Sequence, residues 1–260
     1  AERARARLER FFADPRSKQG SSGSQYGYDT RPLLEEIVDT IDGSSGDDEP
    51  MAVVTCNHYG SLVLNTDSVL FADIDIGLAE LEFRGFFDRL LCSIISSRFN
   101  ERLDEALNRR IEQIREWLRA NSSSCRIYRT HSGLRLLFTD RLYDPKSEQV
   151  KRLFAELGVD PLYQRLTERQ ECFRARLMPK VWRCGCPRPP RCFPWRNPEE
   201  EKTFRRWFEQ YREISRGYTV CRLIDSGGSL NYSSEVHPDI ERIVALHDQY
   251  TCTGDELPLA

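Results

Sequence analysis

Between Ser68 and Leu177 the apolar residues switch back and forth between two periods, and that ordering limits the fold more than any other feature of the chain. SVLFADIDI (68–76) alternates like a strand. From Asn100 to Asn121, Leu103, Leu107, Ile111, Ile114 and Leu118 recur at steps of three or four with charged residues between them, which predicts a helix. CRIYRT (125–130) and LRLLFTD (134–140) then read as two strands joined around His131, Ser132 and Gly133. DPKSEQVKRLFAELG (144–158) reads as a second helix, with Asp144 as cap, Pro145 in the first position and Gly158 at the far end. A short helix covers 161–170, and FRARLMP (173–179) is a further strand. Strand, helix, strand, strand, helix, strand is the βαββαβ plan: an α+β fold whose antiparallel, ferredoxin-like sheet carries both helices on one face. In that plan the first and third strands lie side by side, which brings Asp73 and Asp75 close to the hairpin at His131, Ser132, Gly133 and Arg135.

The flanking segments are read in the same way. Residues 1–50 form an N-terminal region: a short basic helix over 1–12, a Ser/Gly-rich connection at 17–27, a helix over RPLLEEIVDTI (31–41) spaced by Leu34, Ile37 and Ile41, and an acidic loop. Residues 51–260 form the α+β domain, opening with strands at 51–57 and 61–65. A helix over 197–217 has Asn197 as cap and an apolar stripe of Phe204, Trp207, Phe208, Tyr211 and Ile214 that suits a core better than a base-stacking platform. A strand at 218–225 and a helix at 237–250 complete the chain.

With 260 residues, 39% of them hydrophobic and 30% charged, the chain is long enough for one large domain or two small ones. No apolar run approaches the roughly 18–20 residues needed to span a bilayer, so no membrane association is expected. The sequence opens on AERARARLERFF with neither a methionine nor a signal-peptide pattern, which points to a fragment located in the cytoplasm. Nine cysteines, an odd number, fit reduced thiols better than a disulfide framework. A net charge of −3 gives no global attraction for nucleic acid. The local distribution differs. Between Phe173 and Arg196 stand seven basic residues and no acid, with Trp182, Phe193 and Trp195 interleaved. Arg183, Arg188, Arg191 and Arg196 are therefore candidates for nucleic-acid binding, against the alternative of a solvated basic loop.

The sharpest chemical signal is the pair Asp73 and Asp75 in VLFADIDIG. The side-chain period of a strand is two, so both carboxylates share one face about 7 Å apart. Their repulsion calls for water, cations or a metal. Mg²⁺ or Mn²⁺, which prefers oxygen ligands and is commonly held by one or two carboxylates plus substrate phosphates, suits such a pair, and Arg135 offers a bidentate phosphate clamp. Two solvated acids on a half-exposed strand are the plainer alternative. GxxxxGK[ST], GxGxxG, HExxH and GxSxG do not occur, so P-loop, dinucleotide, zinc-protease and serine-hydrolase chemistry has no support. Cys184, Cys186 and Cys192, with Cys172 upstream, are dense enough to hold tetrahedral Zn²⁺, although C-x-C-x₅-C lacks paired C-x₂-C knuckles.

The strand-borne D-x-D at Asp73 and Asp75, followed by Thr130, Ser132, Gly133 and Arg135 in RTHSGLRLLF, resembles the archaeo-eukaryotic primase superfamily, the primase-polymerases. The likeness covers about 70 residues and implies a palm of the RRM type. It further implies metal-dependent transfer of nucleotides from nucleoside triphosphates to a nucleic-acid 3′-hydroxyl. The paired acids would bind metal, and the hairpin residues His131, Ser132, Gly133 and Arg135 would contact phosphates, with Arg135 or His131 in the place of the family's hairpin histidine. A third acid would complete the site. Asp225 suits the family order better than Asp140. Some primases carry a zinc-binding insertion, which is where the cysteine cluster would belong. A non-catalytic nucleic-acid-binding module, or a structural protein on the same fold, remains the alternative.

Overall fold

The computed structural model describes residues 34–43, 50–77, 80–81, 96–226 and 236–260. The chain is mixed α and β: two four-stranded antiparallel sheets and, among the described residues, five helices. The first sheet has the order β1 (Glu36–Asp42), β2 (Pro50–Cys56), β3 (Leu62–Thr66), β7 (Phe173–Arg176), and the second the order β4 (Phe71–Asp75), β6 (Gly133–Phe138), β5 (Cys125–Arg129), β8 (Arg222–Asp225). The helices are α1 (Ser96–Ala120), α2 (Glu148–Glu156), α3 (Pro161–Gln170), α4 (Pro198–Ser215) and α5 (Pro238–Thr251). None of them is long and apolar enough to cross a membrane.

Period and burial agree closely in several elements. On α1, Leu107, Ile111, Ile114 and Leu118 are buried, one turn after another. Asn197 caps α4 by accepting from Glu200 N–H, and Phe204, Trp207 and Tyr211 pack inward. Gly158, at φ +57°, ends the segment after α2, a conformation that costs glycine little. The β4 and β6 strands pair antiparallel, as expected for the first and third strands of the plan, with Asp73 opposite Arg135 and Asp75 opposite Gly133. Gly133 has no room for a side chain: a Cβ there would lie 2.0 Å from Ile74 O.

Three expectations need correction. Residues 36–42, read as part of a helix, form strand β1 paired to β2. Leu34 and Ile37, which supplied the helical spacing, are 46% and 53% exposed and line no core, while Ile37, Val38, Thr40 and Ile41 are β-branched residues suited to a strand. The remaining N-terminal expectations, over 1–12, 17–27 and the acidic loop at 44–49, lie outside the described residues. The α2 helix starts later than predicted: Ser147 caps it, and Asp144 instead accepts from Lys146 N–H in the preceding turn.

The third correction concerns the fourth strand of the βαββαβ plan. It would lie beside β4, yet β7 pairs with β3 in the other sheet, from Val63–Arg176 to Thr66–Phe173. Every residue of β3 is buried, so the backbone groups along both of its edges need partners, and β7 supplies one side. The place beside β4 is taken by α3. Asp160, the α3 cap, donates its N–H to Asp73 O at 3.1 Å. The Tyr163 hydroxyl lies 3.0 Å from Phe71 O and 3.1 Å from Arg174 O, and accepts from Arg174 N–H at 3.2 Å. One phenol thus bridges an edge strand of each sheet. Replacing Tyr163 with Phe should lower stability by about 1–3 kcal/mol, since buried backbone groups lose their partner, and speed hydrogen exchange at Arg174 N–H; chemical denaturation with exchange mass spectrometry checks both.

Candidate functional site

Directly opposed residues of an antiparallel pair project to the same face, so Asp73 and Arg135 must meet. Arg135 is 4% exposed and forks onto Asp73, Nε to Oδ1 at 2.8 Å and Nη2 to Oδ2 at 3.3 Å. Its Nη1 donates to Arg176 O at 2.9 Å and approaches Cys221 Sγ and His247 Nε2. Burial works against its charge, but Asp73 outweighs it, and the guanidinium pKa is raised. All of its donor directions face protein. The expected role of Arg135 as a phosphate clamp is therefore not what the structure shows: it positions Asp73.

Behind this pair, burial pulls His247 down to about 4, which keeps the imidazole neutral. Its neighbour Asp248 accepts from the Tyr128 hydroxyl at 2.7 Å and from Arg126 at 2.7 Å. These groups form a packed polar layer under α5.

In front of the pair lies a cleft of about 270 Å³, just below the usual size of small-molecule sites. Its lining includes Asp73, Asp75, Asp160, Thr130, His131 and Ser132 as well as Arg176, Lys180 and Arg183. Asp75 is exposed, and its carboxyl is raised above the usual range by partial burial and by Asp73, against the pull of Lys180 and Arg183. Ser132 Oγ is 3.5 Å from Asp75 Oδ1 and accepts from Arg183 Nη2 at 3.3 Å. Burial first, then Arg183 and Arg176, lower Lys180; burial, Arg183 and Lys180 lower His131; burial lowers Arg183. Arg176 is lowered by burial, and its Nη1 is buried with no hydrogen-bond partner among the described residues. Cations that crowd one another in this way favour an anion between them.

The structure thus brings together Asp73, Asp75, His131, Ser132, Gly133, Arg135 and Arg183. It does not bring Asp225. That residue sits on β8, at the sheet edge opposite β4, and is paired with Arg115 at 2.7 Å. Asp140 lies beyond the Phe138 end of β6 and is engaged by Tyr143 and Arg141. Asp160, which sequence reading missed, takes the place by the acid pair; the Asp-Pro start of α3 is an N-cap signature with no catalytic label. Lys180 and Arg176 were visible only as part of a basic run.

The cysteines do not converge either. Cys184 and Cys186 are buried in the 181–186 turn, Cys172 lies at the α3–β7 junction, and Cys192 donates to His58 O at 2.8 Å. Among the described residues no three His, Cys, Asp or Glu side chains are placed to hold a metal ion. Arg188, Arg191 and Arg196 are exposed around a second hollow, outside the acid-lined cleft. No family model matches the chain, no curated protein matches it, and no solved structure matches it.

Two outcomes follow from the electrostatics. Arg135→Met should destabilise the fold by about 3–5 kcal/mol by leaving Asp73 half-buried and unpaired, and Arg135→Met with Asp73→Asn should recover part of that loss in denaturant titrations. The folded state raises Asp75, so its stabilising contribution is full below the unfolded carboxylate value of 3.8 and is lost as pH rises through the folded value. Asp75→Asn should therefore melt higher than the natural chain at pH 7, with the difference closing toward pH 4.

Proposed function

We propose that the cleft is a nucleotide site and that the protein is a nucleotidyltransferase of the primase-polymerase type, with the β4, β5 and β6 sheet as its palm. The observation that carries this reading is that one cleft is lined by both an acid pair and a cation cluster: Asp73 and Asp75 together with Arg176, Lys180 and Arg183. An acid pair alone would repel a triphosphate. A cation cluster alone would need no acids.

The donor set fits a hard divalent ion. Asp75 carries no guanidinium partner among the described residues, Asp73 keeps lone pairs outside its fork with Arg135, and Asp160 borders the same space, so carboxylate oxygens and substrate phosphates together supply enough ligands. Bound there, Mg²⁺ or Mn²⁺ would offset the charge between acids and phosphates and polarise the attacked phosphoryl group. The residues of the chain do the rest. Arg135 holds the Asp73 carboxylate in one orientation. Lys180 and Arg183 attract the phosphates, and Ser132, held by Arg183, offers its hydroxyl beside them. His131, neutral because burial and two cations lower it, can donate a hydrogen bond without adding charge.

A second reading rests on the Arg135–Asp73 fork itself. By neutralising one acid, it favours a module that binds phosphates without transferring them. Manganese titration and primer extension separate the two. The first reading expects weak Mn²⁺ binding that Asp75→Asn abolishes, nucleotide incorporation lost in the same variant, and a rise of about 10- to 100-fold in KM for the triphosphate in Lys180→Ala. Unchanged Mn²⁺ affinity in Asp75→Asn, with triphosphate binding that still depends on Lys180, would leave only the second.

A further inference from the structure

Trp182 is 56% exposed, more than any other large hydrophobic residue among those described. It stands on the turn between Lys180 and Arg183, both of which line the cleft. The Tyr59 ring meets it edge-on at 5.6 Å between centroids, and Lys180 Nζ lies 5.8 Å from its ring centre. The support beneath is rigid. Asn57 Oδ1 accepts from both Tyr59 and Ser61 N–H groups, and Gly60, at φ +77°, is pressed so close to Trp207 that a Cβ would fall 2.3 Å from its ring. Trp207 in turn donates to Pro187 O at 3.0 Å, and so ties the 57–61 turn to the proline-rich segment. An open indole face held in place on one edge, and flanked by cations, is a stacking platform rather than a leftover of packing.

On the far side of this platform lies the second hollow, of about 400 Å³, lined by His58, Tyr59, Arg188, Arg191, Phe193 and Arg196. Its charge is one-sided: no acid occurs from Phe173 to Arg196, and Glu200 is the acid on its wall, 3.6 Å from Arg191. The 57–61 turn borders both hollows, through Asn57 in the cleft and His58 and Tyr59 in the second. Trp182, which lines neither hollow, touches a residue of each, Tyr59 of the second and Lys180 of the cleft, and so marks a strip of surface from one to the other.

We propose that a single strand of nucleic acid lies along this strip, with its phosphates on Arg188, Arg191 and Arg196 and one base stacked on Trp182, and enters the cleft past Lys180 and Arg183. The direction of entry rests on the reading of the cleft as a nucleotide site; the binding does not. Alternating guanidinium groups and aromatic faces match a chain of charged phosphates and flat bases, whereas a duplex hides its bases from an indole.

Fluorescence anisotropy with short labelled oligothymidine and oligouridine strands tests the proposal, and the two arms tell DNA from RNA. Trp182→Ala should weaken binding about tenfold or more, with Trp182→Phe recovering most of it. Arg188→Glu with Arg191→Glu should reduce the slope of log affinity against log salt by about 1 to 2. Affinity within twofold of the natural chain for Trp182→Ala, equal competition by a blunt duplex, or equal competition by polyglutamate would overturn it, the last in favour of an acidic protein partner. Asp75→Asn separates the two readings: strand affinity that survives this substitution, in a protein whose natural form shows no nucleotide transfer, supports the strip and removes the cleft reading. Transfer activity in a protein that does not retain oligonucleotides through Trp182 does the reverse.

Discussion

The fold turns on one buried guanidinium. Arg135 reaches from the second sheet to Asp73 on its neighbouring strand, to a backbone carbonyl of β7 in the first sheet, and to the polar layer below α5. A charge removed from water is costly unless it is paired and hydrogen-bonded, so these elements must stay in register for Arg135 to remain buried with its partners. The same requirement fixes the site. Asp73 cannot turn away from the cleft without stranding Arg135, and Asp75, two residues on, is held at the cleft mouth by the shared strand.

Much of this was legible in the sequence, and for a clear reason. Local periodicity placed the β4 strand, the 125–138 hairpin, α1 and α4, because each buries one face against a single layer. Period also predicted that Asp73, Asp75 and the hairpin share a neighbourhood. What could not be read was long-range pairing. The Phe173–Arg176 strand carries nothing that tells it to pair with Val63–Thr66 rather than with Phe71–Asp75, and the Tyr163 hydroxyl that fills the gap is spelled as an ordinary helix residue. Asp225 illustrates the same limit: a strand-end acid after the right number of residues, yet on the opposite edge of its sheet, where Arg115 engages it.

The candidate site shows where residue type and residue role part company. Arg135, the obvious phosphate ligand on paper, is engaged by Asp73, while Lys180, an unremarked member of a basic run, and Arg183, expected as a nucleic-acid contact, line the cleft. Direct opposition in the Asp73–Arg135 register decided this. An arginine facing an aspartate across a strand pair, with apolar residues packed around it, finds its partner before any ligand arrives.

The bridging phenol has a mechanical consequence. Where β4 meets β7 no backbone ladder runs from sheet to sheet; Tyr163 and Arg135 span the seam by side-chain contacts alone. A ladder resists shear through many bonds at once, but a seam of this kind yields when a few side chains let go. The width of the cleft above it is therefore set by individual residues, and a chain could retune the ligand it admits by altering one of them while leaving both sheets intact.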